Sequence, residues 1–108
     1  MDSDKNVPDI MKIYTIEEIK EIVTPIAKAY EIPKIAVFGS VARGEATAES
    51  DIDFIIEKGN KITGLFSFGA FAEMLEKGLN KKVDILTYTG LSEHFEYIIE
   101  EEVVIYES

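Results

Sequence analysis

Two short stretches of this sequence hold residue types that could handle a phosphate ester: Gly39-Ser40-Val41-Ala42-Arg43-Gly44 and Ser50-Asp51-Ile52-Asp53. Gly39 lets backbone come close to a ligand and permits dihedral angles that other residues avoid. Ser40 brings a hydroxyl to the start of an expected helix, where free N–H groups favour an anion. Arg43 is the only arginine of the chain. It lies one helical turn from Ser40, so it can reach the same anion or pair with a nearby acid. Asp51 and Asp53 share one face of an expected strand. Two close carboxylates repel each other unless a cation sits between them. Their hard oxygens suit Mg²⁺ or Mn²⁺, which also bind phosphate oxygens. Asp84 stands between apolar Val83 and Ile85, and an acid in so apolar a strand needs a partner. If the two strands are neighbours, three carboxylates converge. Such a set can hold two ions about 3.5–4 Å apart, the geometry of in-line phosphoryl chemistry.

Each part alone is ordinary. Gly-Ser is a common turn, a lone arginine is most often a solvated charge, and alternating acids are usual on a solvated strand face. Asp84 by itself could be a surface acid or a cap. Familiar alternatives fail on spacing. An EF-hand beginning at Asp51 would need an oxygen ligand and then glycine where Ile55 and Ile56 stand. Gly39 and Gly44 have the gap of a P-loop, but Glu45 follows instead of lysine.

The elements that must position these residues follow from periodicity. Thr15 with Glu18 forms a capping box. Apolar positions from Ile16 to Tyr30 then fall at helical spacing, with Pro25 expected to kink or split the helix. Lys34 to Phe38 reads as a buried strand leading into a short helix with Ser40 near its start. Asp51 to Glu57 reads as a second strand, with Ile52, Phe54 and Ile56 on the face opposite the acids. A helix is expected from Leu65 to Leu79, ending near Gly78 and Asn80, with Phe66, Phe68, Phe71 and Met74 read as core. Lys82 to Thr87 is a third strand. Ser92 can cap a last helix through Glu102 that buries Phe95, Ile98 and Ile99, and Val103 to Tyr106 adds a terminal strand. Strands alternating with helices give an α/β or α+β layer fold. His94, the only histidine, reads as an ordinary surface or boundary residue, and Glu100-Glu101-Glu102 as a solvated helix end.

Composition narrows the field. The 108 residues carry 11 lysines and arginines against 21 acids, a net charge of −10. One domain fits that length: residues 1–12 are expected to be a polar tail and residues 13–108 the folded unit. The acidic balance argues against a sequence-independent grip on nucleic acid and against docking on an anionic membrane. With no cysteine, disulfides, thiolate zinc sites and cysteine nucleophiles are impossible. No run reaches the length of a membrane span. The opening MDSDKNVPDI lacks the apolar stretch of a secretory signal, so a cytoplasmic location is expected.

The combination is more specific than its parts. FGSVARGEATAESDIDFII, from Phe38 to Ile56, followed by VDILT, resembles the minimal nucleotidyltransferase family within the DNA polymerase β-like superfamily. The resemblance implies a mixed-sheet core with helices packed against it. It implies that Gly39 and Ser40 hold a nucleoside triphosphate and that Asp51 and Asp53 bind two Mg²⁺ ions. Asp84 would bind the catalytic ion and help deprotonate the attacking hydroxyl. Arg43 matches the family's arginine and takes a supporting role in phosphate contact or loop bracing. Stand-alone members this small resemble the antitoxin half of HEPN/minimal-nucleotidyltransferase pairs. The family chemistry there is transfer of AMP from ATP to a tyrosine of the HEPN ribonuclease partner. Two other readings stay open. One is a neutraliser that blocks its partner by binding alone; the other is nucleotidyl transfer to a small molecule.

Overall fold

Along residues 12–91 and 93–108, the part of the chain that the computed structural model describes, helices and strands alternate. They are α1 (Ile16–Ala29), β1 (Lys34–Phe38), α2 (Gly39–Arg43), β2 (Ile52–Glu57), α3 (Leu65–Leu79), β3 (Val83–Thr87), α4 (Glu96–Glu101) and β4 (Val103–Glu107). A 3₁₀ turn, Glu93–Phe95, leads into α4. Residues 1–11 of the expected tail lie outside the described residues, as does Ser92, the expected cap of the last helix.

The strands form one sheet in the order β3-β2-β1-β4. β1 runs antiparallel to β2 and β4, while β2 and β3 are parallel, so the sheet is mixed. The mixed sheet with helices packed against it is the expected α+β layer arrangement. One sheet face is thickly covered. Ile19, Val23 and Ala27 of α1 and Phe71, Leu75 and Leu79 of α3 close over Ile35, Val37, Ile52, Phe54, Ile56 and Ile105. These helical positions recur every four residues, which sets them on one stripe. The opposite face carries a much smaller core, where Ile98 of α4 packs on Ala36 and Ile55. The acid-bearing face of β2 is therefore partly apolar, with Ile55 beneath α4 and Asp53 next to it along the strand. Among the described residues no helix is long and apolar enough to cross a membrane.

Several details depart from the sequence reading. α1 runs unbroken through Pro25. The hydrogen bond that proline forfeits would have gone to the carbonyl of Glu21. Both residues are exposed, so water satisfies that carbonyl at little cost. α3 ends where expected, with Gly78 in its last turn and Asn80, in the left-handed conformation, as its cap. Phe66 is 98% exposed and Met74 is 44% exposed, off the stripe that Phe71, Leu75 and Leu79 define. α4 has only six residues and offers a single position to the core, so Ile98 is buried while Phe95 and Ile99 are exposed.

Candidate active site

Strand register decides which acids meet. β2 pairs in parallel with β3 so that Asp53 stands directly beside Asp84. On its other side β2 pairs with β1, and Asp53 stands opposite Phe38, the residue before Gly39. Asp53 thus lies between Asp84 and the Gly39 turn. Its pKa is pushed above the ordinary aspartate value, first by burial and then by the charges of Asp84 and Asp51. A proton shared with Asp84 would act in the same direction, and Arg43 opposes the shift weakly. Asp51 stands outside the strand and is exposed. The structure therefore joins Asp53 and Asp84 and leaves Asp51 at the rim, acting on Asp53 through its charge.

Among the described residues no three His, Cys, Asp or Glu side chains gather closely enough to hold one metal ion. The donor set nonetheless fits Mg²⁺. That ion binds through one or two carboxylates and takes its remaining ligands from water and substrate phosphates. A divalent cation at the Asp53–Asp84 pair would replace repulsion with attraction.

Gly39 is required here for two reasons. Its φ is +70°, in the left-handed region that side chains disfavour. A Cβ on it would also stand 2.5 Å from Asp53 Oδ2. The expected close approach at Gly39 exists, and what approaches is the protein's own carboxylate. Ser40 falls in the first turn of α2, and Phe38 occupies the N-cap position without a side-chain cap. Among the described residues the Ser40 hydroxyl has no hydrogen-bond partner. The turn is held instead from the far end of the chain. Gly39 N–H donates to Glu101 Oε1 at 2.9 Å. Arg43 Nη1 lies 3.3 Å from both carboxylate oxygens of Glu101, and Arg43 Nε donates to Glu45. Glu45 first and then Glu101 push the guanidinium pKa further up. Arg43 therefore pairs with acids through two of its three nitrogens.

The loop that delivers Asp51 is pinned rather than loose. Gly44, with φ +73°, caps α2. Thr47 and Ser50 bond each other, with Thr47 N–H donating to Ser50 Oγ at 2.9 Å. Lys81, nearly buried, donates from Nζ to the Ala48 carbonyl at 2.6 Å. Ile52 N–H donates to the Lys82 carbonyl at 3.1 Å, so the same segment that opens β3 also opens β2.

Glu101 and Glu102 are the residues that sequence reasoning missed. Read as a solvated helix end, they are instead paired. Glu101 meets Arg43 and Gly39, while Glu102 meets Lys34 Nζ at 3.2 Å and accepts from Tyr88 Oη at 2.6 Å. Burial and the Glu102 carboxylate raise the Tyr88 pKa. The available signal was the misfit itself: acids at a helix C-terminus oppose the macrodipole, and that asks for cations nearby.

Comparison with known proteins identifies the family of the chain. The sequence profile of the family described as "Polymerase beta, Nucleotidyltransferase" matches residues 17–108. A Methanocaldococcus jannaschii protein named "Putative protein adenylyltransferase" is 40% identical over 98 residues, covering 83% of this chain and 96% of its own. The protein adenylyltransferase MntA of Thermococcus cleftensis is 33% identical over 98 residues, covering 87% and 98%. A solved "putative minimal nucleotidyltransferase" superposes with a TM-score of 0.70 at 29% identity, over 83% of this chain and 95% of that one. A Shewanella oneidensis structure, a tri-AMPylated HEPN toxin in complex with an MNT antitoxin, superposes with a TM-score of 0.65 at 13% identity. It covers 87% of this chain and 74% of that one, and it shares the fold.

Proposed function

The chain belongs to the polymerase β nucleotidyltransferase family, and on that premise we propose that it transfers AMP from ATP to a tyrosine hydroxyl of a HEPN-type partner protein, so acting as an antitoxin. Membership makes it a nucleotidyltransferase; the acceptor, the partner and the antitoxin role are our reading. The names of its relatives, protein adenylyltransferases, support AMP transfer to a protein. The shared fold of a HEPN toxin–MNT antitoxin complex supports the partner class. The observation that carries the reading is the registered Asp53–Asp84 pair set against the Gly39 turn.

In this reading Ser40 and Arg43 hold the triphosphate. The Ser40 hydroxyl donates to it, and Arg43 contributes charge. Asp53 and Asp84, with Asp51 at the rim, would hold Mg²⁺, which neutralises charge developing on the phosphates and lowers the pKa of a bound hydroxyl. Asp84 takes the proton of the acceptor hydroxyl. The hydroxyl oxygen bonds to the α-phosphorus, the bond to the bridging oxygen of the β-phosphate breaks, and pyrophosphate leaves.

The test is direct. The chain is incubated with its HEPN partner, Mg²⁺ and ATP labelled at the α-phosphate. Label is expected on a partner tyrosine, with one pyrophosphate released per AMP transferred. An unlabelled partner refutes the reading. An Asp53→Ala variant that still neutralises the partner at equal affinity would show that binding alone suffices.

A further inference from the structure

We propose that Glu101 is a positioning residue of the nucleotide-binding turn, tying Gly39 N–H and the Arg43 guanidinium to α4 and so fixing the face that Arg43 turns to phosphate. The inference rests on the proposal that this turn holds ATP. α2 is five residues long and its N-cap position supplies no side-chain bond, and so short a helix has little stability of its own. The first N–H groups of a helix need outside acceptors. Glu101 supplies one across 62 residues of sequence, at 2.9 Å.

The same carboxylate orients the only arginine. Arg43 has five N–H donors in one plane. Nε goes to Glu45 and Nη1 to both oxygens of Glu101. Among the described residues Nη2 has no partner. Two acids thus clamp two of the three nitrogens and leave the third for a ligand. The clamp is stiff, because Glu101 is one turn from Ile98, which is 1% exposed and seated on Ala36 and Ile55. A carboxylate beside a phosphate site repels phosphate, so its presence needs a reason. Charge-assisted hydrogen bonds to both ends of the turn are that reason. Glu101 touches no reacting atom in this arrangement and acts through Gly39 and Arg43.

Glu101→Ala and Glu101→Gln test this. The glutamine keeps an acceptor for Gly39 N–H and loses the charge that faces Arg43. For Glu101→Ala, KM for ATP and the Kd for ATP measured by calorimetry are expected to rise about tenfold, the weight of one charge-assisted bond. kcat should stay within about twofold, since the Asp53–Asp84 pair is untouched. Glu101→Gln should fall between alanine and wild type. Faster hydrogen exchange at the Gly39 amide should accompany the loss in Glu101→Ala and be reduced in Glu101→Gln. A folded Glu101→Ala protein with wild-type ATP affinity overturns the proposal, and so does tighter ATP binding, which would make Glu101 a competitor of phosphate. If the wild type itself binds no ATP, the proposed function falls first. Wild-type binding with an indifferent Glu101 removes this inference alone.

Discussion

Replacing Gly39 with alanine separates two kinds of glycine requirement. Gly39 and Gly44 have nearly equal φ, +70° and +73°. The left-handed conformation costs a side-chain-bearing residue about 1–2 kcal/mol, so both alanine variants should lose about that much stability. Their surroundings differ. A Cβ on Gly44 meets nothing within 4 Å, whereas on Gly39 it stands 2.5 Å from Asp53 Oδ2. Ordinary contact begins at 3.4 Å, so the carboxylate must move by at least 3.4 − 2.5 = 0.9 Å. Asp53 can rotate or the turn can retreat, and either motion alters its relation to Asp84. A misplacement of about 1 Å costs on the order of a hundredfold in rate. The expectation is therefore a urea midpoint for Gly39→Ala no higher than that for Gly44→Ala, with AMP transfer about a hundredfold slower in Gly39→Ala. Equilibrium denaturation and the initial rate of pyrophosphate release measure the two quantities. Equal rates in two folded variants would refute the steric argument and leave Gly39 as a turn residue only.

Three further outcomes follow from the charges and hydrogen bonds. Asp53 has a pKa raised on folding, so the folded chain binds its proton more tightly than the unfolded one. The stabilisation is full below the ordinary aspartate value of about 3.9 and is lost as pH rises through the raised value. Asp53→Asn should raise the urea midpoint at neutral pH and flatten its pH dependence over that window; an unchanged slope would count against the repulsion described. Mg²⁺ should raise the melting temperature of the wild type and leave that of Asp53→Asn unmoved. Tyr88→Phe removes a 2.6 Å bond to the Glu102 carboxylate. A cost of about 1.5–3 kcal/mol in denaturation is expected, as for hydrogen bonds to charged groups, and a neutral result would show that Lys34 alone satisfies Glu102.

Most of the frame was legible because it rests on local rules. The Thr15–Glu18 box starts α1 where expected, and the apolar runs of β1 and α3 have the predicted limits. These depend on neighbours within four residues, which the sequence displays. Failures came where one face had to be chosen. Phe66, Phe95 and Ile99 are apolar residues on exposed surfaces. Hydrophobicity alone cannot say how much sheet a short helix covers. Pro25 does not split α1, where both it and Glu21 are exposed residues.

By itself the sequence determined the chemical inventory. A glycine at a tight turn, a serine, the only arginine and two acids at the start of a strand are the groups that phosphate chemistry would use. Strand alternation predicted a common face for Asp51 and Asp53, but Asp51 stands before β2 and is exposed. Only the tertiary structure decided their relations. Parallel register, not spacing, made Asp84 the neighbour of Asp53 and left Asp51 at the rim. The packing of α4 turned Glu101 from one acid in a row of three into the partner of Gly39 and Arg43. Side-chain charge is written in composition, but a carboxylate's role depends on what lies within a few ångströms of it. Across 62 residues of intervening chain, only folding sets that distance.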